Sequence, residues 1–204
     1  MTSPRRDRRS EILDAALRCF VERGIAATTI ADIRERAGAT TGSVYHVFPS
    51  KDAIVGALYV DRLRSYQSDL LARASRHRTA RAFIRGITLH YLEWVEAEPD
   101  AARFLFDARR TEAIAAVAAE IAEANRESFA AMRRSIDHFA AKGDLQDLPM
   151  DIFIAVVIGP AAAYARHWLE KESRTEMHRA RALLADLAWA SVQTKNERNE
   201  ENEP

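Results

Sequence analysis

The sequence predicts an all-α fold. Apolar side chains recur at helical spacing along most of the 204 residues. Helix breakers are sparse, with 7 Gly and 6 Pro. Long runs are rich in Ala, Glu, Arg and Leu, all good helix formers. The balance of 48% apolar and 29% charged residues is that of a globular chain.

Each element has its own signal. From Ser10 to Arg23, Ile12, Ala15, Ala16, Cys19 and Phe20 form one stripe, and Gly24 is placed to end the helix. Thr29-Ile-Ala-Asp32 has the form of a capping box, with Asp in place of the preferred Glu. Ile30, Ile33 and Ala37 carry the second stripe, which Gly38 closes. Thr40 or Thr41 caps a third helix holding Val44, Tyr45 and Phe48, and Pro49 stops it. Ser50 caps a long fourth helix reaching about Ala74. Ser75 to Thr79 is polar and basic and reads as a loop. Arg81 to Glu98 is a helix, and Pro99 stands at or near the start of a short one over Ala101 to Arg110. Glu112 to Ala141 reads as one long Ala-rich helix ending near Gly143. Met150 to Lys171 is a helix with a kink expected at Gly159-Pro160. Glu176 to Gln193 is the last helix, with Ala180, Leu183, Leu184, Leu187 and Val192 expected inward. Lys195 to Pro204 holds no apolar residue and is expected to be disordered.

Thirty basic and thirty acidic side chains cancel, so no global field draws the chain to a polyanion. A local concentration exists at Arg5, Arg6, Arg8 and Arg9. The single cysteine, Cys19, excludes a disulfide within the chain and suits a reducing, cytoplasmic setting. The basic start is followed by Glu11, Asp14 and Arg18 rather than by an apolar signal segment. The longest uncharged apolar stretch, Ile152 to Ala165, is too short to span a bilayer.

The segment Thr28 to Asp52 carries the functional signal. Two short helices joined by a Gly-containing turn, the second rich in small polar residues, form a reader for the DNA major groove. Thr40, Thr41, Gly42 and Ser43 open the recognition helix. Short side chains there let its backbone approach the groove, and their hydroxyls suit bases or phosphates. For Thr40, capping and base contact stand as equal readings. Tyr45 has a hydroxyl suited to a phosphate, and His46 lies on the polar side. Lys51 and its helix N-terminus suit another phosphate, as does the N-terminus at Thr28 and Thr29. No Arg, Asn or Gln occupies Thr40 to Phe48, so strong bidentate base pairing is absent there. Arg34 and Arg36 are solvated by default. The N-terminal arginines read equally well as a DNA arm or as a solubilising tail.

The stretch AGATTGSVYHVFPSKDAI, with Thr28-Thr29-Ile30-Ala31-Asp32-Ile33 before it, resembles the signature of the tetracycline-repressor (TetR) family of bacterial transcription regulators. Ala37-Gly38, Thr40 to Ser43, Val44-Tyr45, His46, Phe48 and Pro49-Ser50-Lys51-Asp52 carry the resemblance over roughly the first sixty residues. It implies a three-helix DNA-binding head over residues 1–52 and a helical ligand-binding and dimerisation body over 53–194, with 195–204 as a tail. It implies a homodimer, built by pairing the last two long helices, that represses from a palindromic double-stranded operator and is released by a small hydrophobic effector. Thr28, Thr29, Thr40, Thr41, Gly42, Ser43, Tyr45, His46 and Lys51 are then the DNA-contact candidates.

A pocket for such an effector is mostly apolar with a few polar groups. Its candidates are Phe83, Ile87, Tyr91, Trp94, Phe104, Phe129, Met132, Ile136 and Tyr164, although aromatics at helical spacing are more often plain core. His90, Asp107, Asn125 and Arg133 are candidate orienting groups or simply face water. Met150 to Trp168 and Ala180 to Val192 are the candidate dimer surface.

An enzyme is the main rival. None of the six histidines pairs at i+3 or i+4 with another His or Cys, so no metal or cofactor site is expected. Cys19 on an apolar stripe reads as an inert core thiol, and no Gly-rich phosphate loop or nucleophile elbow is present. A second rival keeps the head but gives the body a protein partner, or no ligand.

Overall fold

The computed structural model describes residues 7–194. The expected arm residues Arg5 and Arg6 and the tail 195–204 lie outside them. Among the described residues there are eleven helices and no strand. Leu145 and Gln193 form one antiparallel bridge. In chain order the helices are α1 (Arg8–Arg23), α2 (Ile30–Arg36), α3 (Thr41–Val47), α4 (Lys51–Ala74), α5 (Ala80–Ala97), α6 (Pro99–Ala108), α7 (Glu112–Ala116), α8 (Ala118–Ala141), α9 (Met150–Val157), α10 (Gly159–Leu169) and α11 (Met177–Val192).

Local capping accounts for the short helices. Thr29 accepts from the Asp32 amide while the Asp32 carboxylate accepts from the Thr29 amide, closing the capping box. Thr40 rather than Thr41 caps α3, accepting from the Ser43 amide at 3.2 Å. Ser50 does the same for Ala53 at the start of α4. Gly24 ends α1 at φ +80°, a conformation that L side chains rarely adopt.

The structure departs from the sequence reading at two places. The expected single helix over Glu112 to Ala141 is broken at Val117, which leaves helical geometry between α7 and α8. Val117 is inserted against Gly56 of α4, where an added Cβ would stand 2.8 Å from its Cγ1. In α11, Leu183 and Leu187 point outward, 53% and 62% exposed, and Leu184 is half-buried. Ala180 and Val192 are inward as expected, and Ala185, Ala188 and Trp189 complete the buried stripe. The kink at Gly159-Pro160 is present, with α9 and α10 bent by 43°. The buried hydroxyl of Thr88 donates to the Val157 carbonyl at that break, at 3.2 Å. No single described helix is long and apolar enough to cross a membrane, although α9 and α10 together reach that length.

The chain divides into two compact units. The first comprises residues 1–64 and 100–124, the second 65–99 and 125–204. The boundary between these units falls inside α4, and α6 and α7 contribute to the same core as α1 to α3. Ile12, Phe20, Ile33, Val44, Phe48, Ile54, Leu58 and Phe104 belong to that core. The core of the second unit joins Phe83, Ile84, Ile87, Met132, Ile136, Phe139, Phe153, Val157 and Trp189.

Candidate DNA-binding face and ligand cavity

In the first unit, α3 has two faces. Val44 is fully buried and Phe48, just past the helix end, is 4% exposed, which anchors the inner side. Thr41, Gly42, Tyr45 and His46 lie on the outer side, and Tyr45 is 51% exposed. These positions pair at i, i+4, so a single face presents two small residues and then two polar rings. Among the described residues a Cβ on Gly42 would meet nothing within 4 Å, so no packing there calls for glycine. Ser43 is half-buried beside the cap.

The rest of the unit holds α2 and α3 in place. Arg36 pairs with Glu22 through both guanidinium nitrogens, and Arg23 pairs with Asp32. These bonds hold both carboxyls below the usual carboxylate range, mainly through Arg36 for Glu22 and through Thr29 for Asp32. Arg62 reaches Asp14 at 2.7 Å. The Arg9 guanidinium lies over the Phe48 ring. Cys19 is buried, and desolvation pushes its thiol up, which keeps it protonated.

Two expected DNA-contact residues have partners within the unit. The Lys51 ammonium donates to the carbonyls of Ile25, Ala26 and Thr28 at 2.9, 3.1 and 3.0 Å, so its three donors are occupied within the unit. Thr28 is buried, and its hydroxyl faces the carbonyls of Cys19 and Gly24. Thr29 remains exposed at the N-terminus of α2. Lys51 meets carbonyls more than twenty residues away, a partnership that spacing does not announce.

In the second unit the expected ligand group separates. Phe104 is not part of it: this ring sits in the first unit, stacked on Phe20 with centroids 5.7 Å apart. Tyr164 donates its hydroxyl to the Thr175 carbonyl at 2.8 Å, which ties α10 to the following loop. Ile87 and Ile136 are fully packed core, and Phe129 is half-buried on α8. Tyr91 and Trp94 join Tyr66 and His90 in an aromatic cluster with centroids 5.0 to 6.4 Å apart. Burial pushes the Tyr66 hydroxyl far up.

Of the candidates, only Phe83 and Met132 line the main cavity, which measures about 700 Å³. Its other walls are Leu71, Ala74 and Ser75 at the end of α4, His77 and Arg78 in the loop, and Ala131, Arg134, Ser135, His138 and Phe139 on α8. The basic loop Ser75 to Thr79 was the one sequence signal for this wall. A smaller cavity of about 290 Å³ has His77, Gly86, His90 and Glu93 in its lining.

The orienting candidates behave differently from one another. His90 does not face water: it is 4% exposed and its ring stacks on Tyr66. Desolvation lowers its pKa. Asn125 accepts from Gln67 at 2.9 Å. Arg133 binds Asp137, Asp147 and the Leu148 carbonyl. Asp107 is exposed in the first unit. His167, Glu170 and Glu172 bring ligand-type atoms within 4.8 Å of one another, but all three are exposed.

A buried-backed short helix with a small, polar outer face, held after a second short helix and a tight turn, defines a helix-turn-helix protein. Residues 12–58 match the family model for bacterial regulatory proteins of the tetR family. The chain is 43% identical over 72 residues to the HTH-type transcriptional repressor KstR2 of Rhodococcus jostii, covering 35% of this chain and 33% of that one. It is 49% identical over 67 residues to the HTH-type transcriptional regulator TtgR of Pseudomonas putida, covering 33% and 31%. These matches span about a third of the relatives' length. A TetR family transcription regulator from Marinobacter aquaeolei shares the fold, with a TM-score of 0.77 at 17% identity over 92% of this chain and 96% of that one. Residues 12–58 thus carry a DNA-binding domain of the tetR type, and the fold of the chain is shared with such regulators.

Proposed function

We propose that this protein is a ligand-responsive transcriptional repressor. A homodimer occupies a palindromic operator, and a small molecule bound in the second unit releases it. Residues 1–52 serve as the DNA-binding part and 53–194 as the ligand-binding and dimerisation part. The outer face of α3 carries the reading, because Thr41, Gly42, Tyr45 and His46 are exposed while Val44 and Phe48 anchor the helix behind them.

Thr41 and Gly42 sit closest to the base edges, and Tyr45 and His46 bind flanking phosphates. Thr40, Ser43 and Thr29 place helix N-termini toward the backbone. With few cations on this face, shape and small-residue fit carry more of the specificity than bidentate pairing. Leu183, Leu187 and Ile152, which are large, apolar and exposed, support pairing of α9 and α11 with a second copy.

Selection of random duplexes on the purified protein tests this reading. The expected result is a palindrome whose half-sites lie about one helical turn apart or a multiple of it. Recovery of no motif at moderate salt would overturn it.

A further inference from the structure

The main cavity departs from the charge balance of the chain. Acidic and basic residues are equal in number overall. The cavity lining holds Arg78, Arg134, His77 and His138, with no Asp or Glu. Asp137 of α8 and Asp147 beyond it both pair with Arg133. Lys142 lies over the Phe139 ring at 6.0 Å and adds a further cation behind the wall.

The floor is apolar. Leu71, Phe83, Met132 and Phe139 form it, with Phe83 and Phe139 tilted together at 5.6 Å. His77 is seated against α5 at Gly86, where an added Cβ would collide with the imidazole. Arg78 and Arg134 stand exposed at the rim.

Each simple ligand class leaves half of this site unused. A neutral apolar compound would fill the floor and leave the guanidinium groups without a role. A free inorganic anion would meet the guanidinium groups and leave the floor wet. About 700 Å³ is ample for a drug-sized molecule that carries both parts. We infer that this cavity binds an amphiphile with an anionic head, its tail on Phe83, Met132 and Phe139 and its head between Arg78 and Arg134. Guanidinium forks donate bidentately to carboxylate or phosphate-ester oxygens, so either head chemistry fits. This assignment rests on the effector reading above and narrows it from a hydrophobic effector to an anionic amphiphile.

Calorimetry on the full chain tests it, with dodecanoate, dodecyl phosphate and dodecanol, each below the concentration at which it aggregates. At least one of the two anions should bind once per chain and roughly tenfold or more tighter than dodecanol, the scale of charge-assisted hydrogen bonds. Which anion binds tighter identifies the head. In the double variant R78Q/R134Q the anions should fall to the level of dodecanol, with dodecanol itself unchanged. Both positions are exposed, and a thermal melt of the variant checks that it folds. Equal binding of dodecanol and both anions, an advantage that survives in the double variant, or no binding of any amphiphile would overturn the assignment. DNA release separates this site from the effector role. Anion binding that leaves DNA affinity unchanged keeps the site and removes its role as effector site. Release by neutral compounds alone, with no anion binding, keeps the effector role and overturns this assignment.

Discussion

The Lys51 ammonium donates to the Thr28 carbonyl at 3.0 Å, tying the start of α4 to the turn before α2. The same nitrogen also holds the carbonyls of Ile25 and Ala26. We propose that Lys51 sets the position of α2 and does not neutralise a phosphate. Lys51→Met keeps the apolar stem and removes three charge-assisted bonds. It should cost about 2 kcal/mol in a thermal or denaturant melt. The slope of log affinity for DNA against log salt should stay as in the parent protein. A phosphate contact would instead lower that slope by about 0.9.

Gly42 is the position where stability and recognition should separate. Among the described residues, nothing beyond its own helix backbone and chain neighbours lies within 4 Å of the space its Cβ would fill, and alanine is the better helix former. Gly42→Ala should raise stability by about 0.5 kcal/mol. It should weaken DNA binding severalfold, because the added methyl meets the groove wall. Unchanged DNA affinity would show that this part of α3 makes no close approach.

His90 makes the fold sensitive to acid. Burial lowers its pKa, and Arg73 reinforces the effect, while Asp69, Glu93 and Tyr66 pull the other way. An unfolded chain takes up this proton near about pH 6.5, whereas the folded chain does so at a lower pH. Between those two values the unfolded state binds more protons, so stability falls as pH falls. The slope from one such group is at most about 1.4 kcal/mol per pH unit. His90→Phe preserves a ring against Tyr66 and removes two buried, poorly satisfied nitrogens. Melts at pH 7.5 and 5.5 should show a smaller pH effect in the variant than in the parent, and a higher melting temperature at both.

Leu187 is 62% exposed within one chain. A glutamate there disturbs no internal packing, so a single copy should fold normally by circular dichroism. Sedimentation should show Leu187→Glu as a monomer where the parent is a dimer, with operator affinity reduced in parallel. A persisting dimer would move the interface away from α11.

Much of this was legible because it is local. The capping box at Thr29 and Asp32, the Thr40 and Ser50 caps, Gly24 and Gly159-Pro160 each announce themselves within four residues. The outer face of α3 was legible for the same reason. What escaped depends on contacts distant in sequence. Val117 breaks an Ala-rich helix without Gly or Pro, because it packs against Gly56. Phe104 follows the helical stripe of a ligand candidate, but its partner is Phe20. The cationic cavity joins Arg78 to Arg134 and His138 across more than fifty residues, and neither segment alone reads as an anion site.

The central claim is that the outer face of α3 lies in the major groove. A cleavage reagent tethered at His46→Cys on selected duplex tests it directly. The only native cysteine, Cys19, is buried, so labelling is confined to the new site. Cleavage should cluster at two symmetric positions, one in each half-site, separated by about one helical turn or a multiple of it. Scattered or absent cleavage on DNA that the protein binds tightly would contradict the account.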